Sequence, residues 1–170
     1  MALPASHRRK YARRGSVIVE FSLILPVLVS LFLGVVFFGQ DLFIYNQLEE
    51  RVRAASRFAS IQSYDSLNSL DPPLSCASCL VVLNPTASQF ARRVRDFLVY
   101  GNPSPSGTPQ PLVDGLTGAN VKVTLQVVNN FPVGVQVGII NYGMLTPTGQ
   151  LTLTDKPQTQ FPYFGRVATP

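Results

Sequence analysis

The chain has 170 residues, 46% of them hydrophobic, with two cysteines, one histidine and a formal charge of +5, which is room for an anchor and one modest domain. All of the excess charge sits in residues 1–15: Arg8, Arg9, Lys10, Arg13 and Arg14 are there without an acid, and the remainder carries nine Lys/Arg against nine Asp/Glu. A neutral body whose basic residues cluster only at Arg92, Arg93 and Arg95 excludes nucleic acid as a partner, because phosphate binding needs a broad basic face.

The basic leader runs directly into VIVEFSLILPVLVSLFLGVVFFG, Val17 to Gly39, in which Glu20 is the one charge. At about 1.5 Å per residue these residues extend roughly 34 Å as a helix, enough for a hydrocarbon core of about 30 Å. The run exceeds the apolar core of about 7–15 residues in a cleaved secretory signal, and no small-residue cleavage site follows it. Cations before the span and Asp41, Glu49 and Glu50 beyond it predict a cytoplasmic N-terminus and an exported body, by the positive-inside rule. The expected location is a bacterial inner membrane, crossed once, with the C-terminal domain periplasmic.

Two residues of the span are unusual. Glu20 puts a carboxylate in an apolar helix, which costs about 2.5–3.5 kcal/mol at mid-bilayer on insertion scales and less near the interface. It reads either as an interfacial acid with no special partner or as a functional group. Pro26 removes a backbone hydrogen bond and predicts a kink or local loosening of the helix.

The order basic leader, Gly15, Ser16-Val17-Ile18-Val19, Glu20, Phe21, long apolar helix resembles the processing motif of type IV prepilins. The wider stretch RRGSVIVEFSLILPVLVSLFLGVVFFGQ, with Val19-Glu20-Phe21 and the Leu25-Pro26 pair, is similar to TadE-like pseudopilins of the tight-adherence (Flp) pilus system. The Ala- and Arg-rich EERVRAASRFAS continues the likeness, and the turn Tyr100-Gly101-Asn102-Pro103 echoes it in style. The small Ser16 departs from the Phe common at the first position of major pilins and suits a TadE-like protein. The resemblance implies a processing site at Gly15 and Ser16, cut by a prepilin peptidase, and an assembly role for Glu20 and Phe21. Its implied partners are other pilin or pseudopilin subunits and the assembly platform. In that scheme the carboxylate of Glu20 pairs with the new terminal amine of a neighbouring subunit, which offsets its desolvation and sets register.

Beyond the span, Leu42, Tyr45, Leu48, Val52, Ala55 and Ala59 recur at three- and four-residue spacing, predicting an amphipathic helical extension over residues 40–62. Glu49 and Arg53 stand at i,i+4 in the favourable order. Residues 63–85, with Asp71-Pro72-Pro73 and Asn84-Pro85, read as a linker. It contains Cys76-Ala77-Ser78-Cys79. These two thiols and His7 fall short of the four ligands of a zinc site, so the expectation is a local disulfide of structural kind in an oxidising compartment.

Residues 86–170 are expected to form an extracytoplasmic α+β domain. Thr86-Ala87-Ser88-Gln89 reads as a capping box opening a short helix with Phe90, Val94 and Phe97 on one face and Gly101 at its end. The three arginines read as a solvated face, or as a contact for an acidic partner or lipid head groups. After the Pro- and Ser-rich NPSPSGTPQP, period-two alternation at Val121, Val123, Leu125 and Val127, at Val133, Val135, Val137 and Ile139, and more weakly at Leu151 and Leu153 predicts a three-strand meander. Gly134 and Gly138 share one face of the second strand and mark a closely packed spot. The tail QTQFPYFGRVATP is either a cover or an inter-subunit contact. The resulting fold class is α+β and type IV pilin-like: a long N-terminal helix, transmembrane then stalk, packed on a small antiparallel sheet.

No G-x-S-x-G, Walker or H-E-x-x-H pattern occurs, and the acids are scattered over loops and element ends. No catalytic residue, metal or cofactor is therefore expected. Two other functions fit the same residues: an unprocessed, signal-anchored extracytoplasmic binding module, and a minor pseudopilin of a type II secretion system.

Overall fold

A computed structural model describes residues 8–65, 71–146 and 149–168, with side chains described for 17–65, 71–144 and 149–167. The basic residues of the leader therefore lie outside the described side chains. Helix α1 runs from Arg8 to Ile61. The chain divides into two compact units, Met1–Gln40 and Asp41–Pro170, so α1 contributes to both.

In the first unit the helix from Val17 onward is long and apolar enough to cross a membrane, and its side chains are exposed almost throughout. Pro26 lies inside it without ending it. Two hydroxyls in this apolar stretch bond to their own helix, Ser22 Oγ donating to the Ile18 carbonyl at 2.8 Å and Ser30 Oγ to that of Val27 at 2.9 Å. Such back-bonding is what lets a hydroxyl sit in lipid.

In the second unit the helix presents Leu48, Val52, Ala55 and Ala59, all with no exposed surface, to a sheet. This is the expected stripe, except that Leu42 at its start is 46% exposed. The Glu49–Arg53 pair forms at 2.8 Å. After α1 come β1 (Tyr64–Asp65), β2 (Ser78–Leu83), α2 (Gln89–Tyr100), a 3-10 turn (Gly118–Asn120), β3 (Val121–Val128), β4 (Phe131–Ile139), β5 (Tyr142–Thr146), β6 (Gly149–Leu153), β7 (Gln158–Pro162) and β8 (Val167–Ala168). The main sheet is antiparallel in the order β2-β3-β4-β7; β5 and β6 make a separate hairpin, and β1 pairs parallel with β8.

The hairpin β3–β4 follows the period-two reading. Val121, Val123, Leu125, Val127, Val135, Val137 and Ile139 are buried under the helices. Val133 breaks the pattern at 42% exposure, because the register shifts between Gln126 and Val127 and leaves it without an opposite residue, as a β-bulge does. Asn129 and Asn130 turn the hairpin at φ 51° and 66°, the left-handed pair of a two-residue turn.

The rest of the sheet differs from the expected meander. Leu151 and Leu153 belong to β6, which pairs with β5 outside the main sheet. The third strand of the sheet is β7, in the aromatic tail. A fourth, β2, lies within the segment read as a linker. Pro157 and Pro162 hid β7, since proline argues against a strand, yet a strand edge tolerates it. Only six residues long, β2 has Asn84-Pro85 behind it, and the run was too short to carry a period.

Helix α2 begins two residues later than the sequence suggests. Its N-cap is Ser88, whose hydroxyl accepts from the Ala91 amide at 3.1 Å. Thr86 instead closes a turn on the Asn84 side chain. Gly101 caps the C-terminus at φ 74°, its amide bonded to the Phe97 carbonyl at 2.8 Å, a left-handed position suited to glycine. Phe90 and Val94 are buried, while Phe97 is half-buried and stacks on Phe58 of α1 at 4.4 Å. Arg92 and Arg93 are exposed. Arg95 is not part of a solvated face: it pairs with buried Asp96 at 2.7 Å and lies over Gly118.

Candidate processing and assembly site

The residues singled out by the leader motif all lie on one uninterrupted helix. The Gly15–Ser16 peptide is helical, and glycine is the least favourable helix former apart from proline, by about 1 kcal/mol relative to alanine. Local unwinding of the helix therefore starts most easily there. Ser16 and Glu20 stand at i,i+4, which puts them on one helix face. Glu20 is exposed, and among the described residues it has no hydrogen-bond or ion-pair partner. Phe21 beside it is 59% exposed. Pro26 follows Glu20 by six residues.

Cys76 and Cys79 sit elsewhere, at the entry to β2. Their sulfurs are bonded, with Cα atoms 6.1 Å apart. Hydrogen bonds stitch the same loop to the β3–β4 turn. The Cys76 amide donates to Asn130 Oδ1 at 2.7 Å, the Asn130 amide to the Cys76 carbonyl at 3.0 Å, and the Asn129 amide to the Ala77 carbonyl at 2.9 Å. Among the described residues no group of three His, Cys, Asp or Glu is placed to hold a metal.

A polar knot that sequence reasoning missed closes the second unit. Asp71 is 4% exposed. Its Oδ1 accepts from Ser88 Oγ at 2.5 Å and from the Phe90 amide at 2.9 Å, and its Oδ2 accepts from the Asp65 amide at 3.0 Å. A buried carboxylate is thereby held on the first turn of α2, where helix amides lack partners and the dipole favours negative charge. The Tyr64 hydroxyl donates to the Pro72 carbonyl, and the Tyr163 hydroxyl to the Gln62 carbonyl at 2.6 Å. Burial, reinforced by the Asp71 charge, raises the Tyr64 phenol well above its ordinary value. Burial first, with Asp71 adding to it, pushes Tyr163 up to about 12. The sequence signal was present in part: Asp71 precedes a Pro-Pro pair, but nothing local shows that it reaches α2 across 17 residues.

Open cavities also lie among the described residues of the second unit. One, of about 420 Å³, is lined by Ile44, Gln47, Leu112, Asp114, Tyr142 and Met144 among others. Burial, then the nearby Asp114, raises the Tyr142 phenol. The other, of about 450 Å³, has Phe58, Ile61 and Phe97 as its apolar floor and Glu50, Arg53 and Arg57 at its rim. Neither brings two carboxylates, or a nucleophile and a base, together.

Residues 15–57 match the family model of TadE-like proteins. Over these residues the N-terminal helix is similar to TadE-like proteins. No curated protein and no solved structure matches the chain. The TadE-like segment starts at Gly15 and ends within α1, so residues 58–170, which include the sheet and α2, lie beyond it.

Proposed function

We propose that the protein is a minor pilin or pseudopilin that takes part in assembling a tight-adherence, type IV-like pilus and so supports surface adhesion or secretion. The observation that carries this reading is the start of the TadE-like match at Gly15, where the basic leader meets the apolar helix. A prepilin peptidase hydrolyses the Gly15–Ser16 bond, leaving a carboxylate on Gly15 and a free amine on Ser16. The cut removes all five leader cations, which otherwise hold the N-terminus on the cytoplasmic side of the inner membrane.

The helix geometry gives the cut a second consequence. An amine at Ser16 lies one turn from Glu20 on the same face, so the unpartnered carboxylate gains a counter-charge within its own chain. Exchanging that amine for one on a neighbouring subunit keeps the pair intact while fixing axial register. Phe21 and the exposed apolar residues after it supply the packing surface, and Pro26 supplies a point at which the helix can loosen. The single span, the peptidase, the other subunits and the assembly platform are the partners of this scheme.

N-terminal sequencing of the native membrane protein tests it. A mature chain that begins at Ser16 supports the reading, and an intact leader sinks it in favour of an unprocessed anchored module. The Glu20→Ala variant, processed normally, is expected to leave pilus assembly and adhesion at least tenfold impaired. Unchanged adhesion removes the register role from Glu20.

A further inference from the structure

The main sheet has two outer strands, and they are built differently. On one side β7 carries Pro162 and follows Pro157, which blunts it against further pairing. On the other side β2, Ser78-Cys79-Leu80-Val81-Val82-Leu83, has no proline and no charge. Among the described residues only β3 pairs with it, so half of its backbone donors and acceptors face outward. Leu80 and Val82, on the outer face, are 66% and 60% exposed. The strand is also preorganised, its start fastened to the Asn129–Asn130 turn and its end to α2 through the Asn84 turn.

We propose that β2 is a self-pairing edge, and that two membrane-anchored copies of this chain join through it antiparallel, with Leu80 of each opposite Val82 of the other. Opposed residues in an antiparallel pair share a face, and a slip of one residue turns every side chain over. Keeping Leu80 and Val82 on one continuous outer face therefore requires a twofold axis centred on a residue. Centring it on Val81 pairs Leu80 with Val82 and Cys79 with Leu83, all apolar, and excludes Ser78. The strand is self-complementary about that point, as an isologous contact demands, and with no charge on it nothing repels a second copy.

The size of the contact sets where it forms. Two apolar side chains and one strand edge per copy fall short of the about 1,000 Å² of a stable interface in free solution. A helix able to span a membrane confines the copies to one surface, where effective concentrations reach the order of millimolar and weak contacts suffice. The contact depends on the anchor and not on cleavage at Gly15, so an uncleaved leader leaves it standing.

The test uses the full-length chain in liposomes with a photo-crosslinking side chain at Leu80, half of the protein being isotopically labelled. The expected product is a covalent dimer whose mixed-isotope cross-links map to residues 81–83 of the second copy. A probe at Leu151, on β6 and 50% exposed, is expected to give at least tenfold less. Val82→Lys is expected to reduce the Leu80 product at least tenfold while leaving the circular dichroism and melting of the chain unchanged, because Val82 projects outward. Diluting the protein into more lipid is expected to lower the yield. Equal yields from the Leu80 and Leu151 probes, cross-links scattered over the partner chain, or a Val82→Lys variant that still dimerises would each overturn the proposal.

Discussion

Asp71 shows how one carboxylate can hold an element in place. It satisfies the Ser88 hydroxyl and the Phe90 amide of α2 and the amide of Asp65 at once, and it does so with almost no exposed surface. Removing it leaves buried donors unpaired, each at about 1–3 kcal/mol, and frees the cap serine. Asp71→Ala is therefore expected to destabilise the second unit by about 3 kcal/mol in denaturant titrations followed by tyrosine fluorescence, and Asp71→Asn, which keeps an acceptor, by about 1 kcal/mol. The tyrosines beside it extend the argument to pH. Tyr163 titrates from an ordinary 10.0 up to about 12 when folded, and Tyr64 is also raised, in both cases chiefly by burial. The folded state then keeps protons that the unfolded chain releases, so stability is full below pH 10 and falls as pH rises toward 12. Absorbance of tyrosinate measured alongside circular dichroism is expected to show these two phenols ionising together with unfolding.

At the scale of elements, the Cys76–Cys79 loop and the Asn129–Asn130 turn act as one brace. The loop closed by the cysteines is short, which puts its entropic contribution at the low end for disulfides, while three hydrogen bonds tie the same loop to the turn. Replacing both cysteines by serine is expected to cost about 1 kcal/mol or less and to leave β2 in register, as hydrogen exchange of its amides will report. Asn130→Ala, which strips the bond to the Cys76 amide and strains a left-handed position, is expected to cost more than the double cysteine change. The same elements explain what could be read from sequence. The helix stripe from Leu48 to Ala59 and the β3–β4 hairpin were legible because each repeats a period over many residues, as was the Gly134 spot, where Gln160 donates to Gln126 across the missing side chain. The edge strands were not, because β2 is six residues long inside turn-forming sequence and β7 carries proline. Pairing of β1 with β8 joins residues about a hundred positions apart, and no local pattern encodes that. The motif from Gly15 to Pro26 is of a different kind: its reading rests on linear order at a leader–helix junction, and the fold adds only that these residues are helical.

For the whole molecule, the decisive asymmetry is electrical. Every excess cation precedes Ser16, and the rest of the chain is neutral overall. In the proposed topology the leader alone would orient the span, since the positive-inside rule counts cations close to the membrane and gives little weight to acids. Changing Arg8, Arg9, Lys10, Arg13 and Arg14 together to Gln removes that bias without touching the helix core, Gly15, Ser16 or the sheet. The expected outcome is a mixed population in which protease added outside spheroplasts no longer digests the second unit in every copy, whereas the parent chain is digested fully. A partial set that keeps Arg13 and Arg14 is expected to hold most copies in the parent orientation, because those two lie nearest the span. If all five cations can be removed with no change in accessibility, orientation is set by something other than leader charge. Under the proposed function, the leader would then serve only as an address for a peptidase.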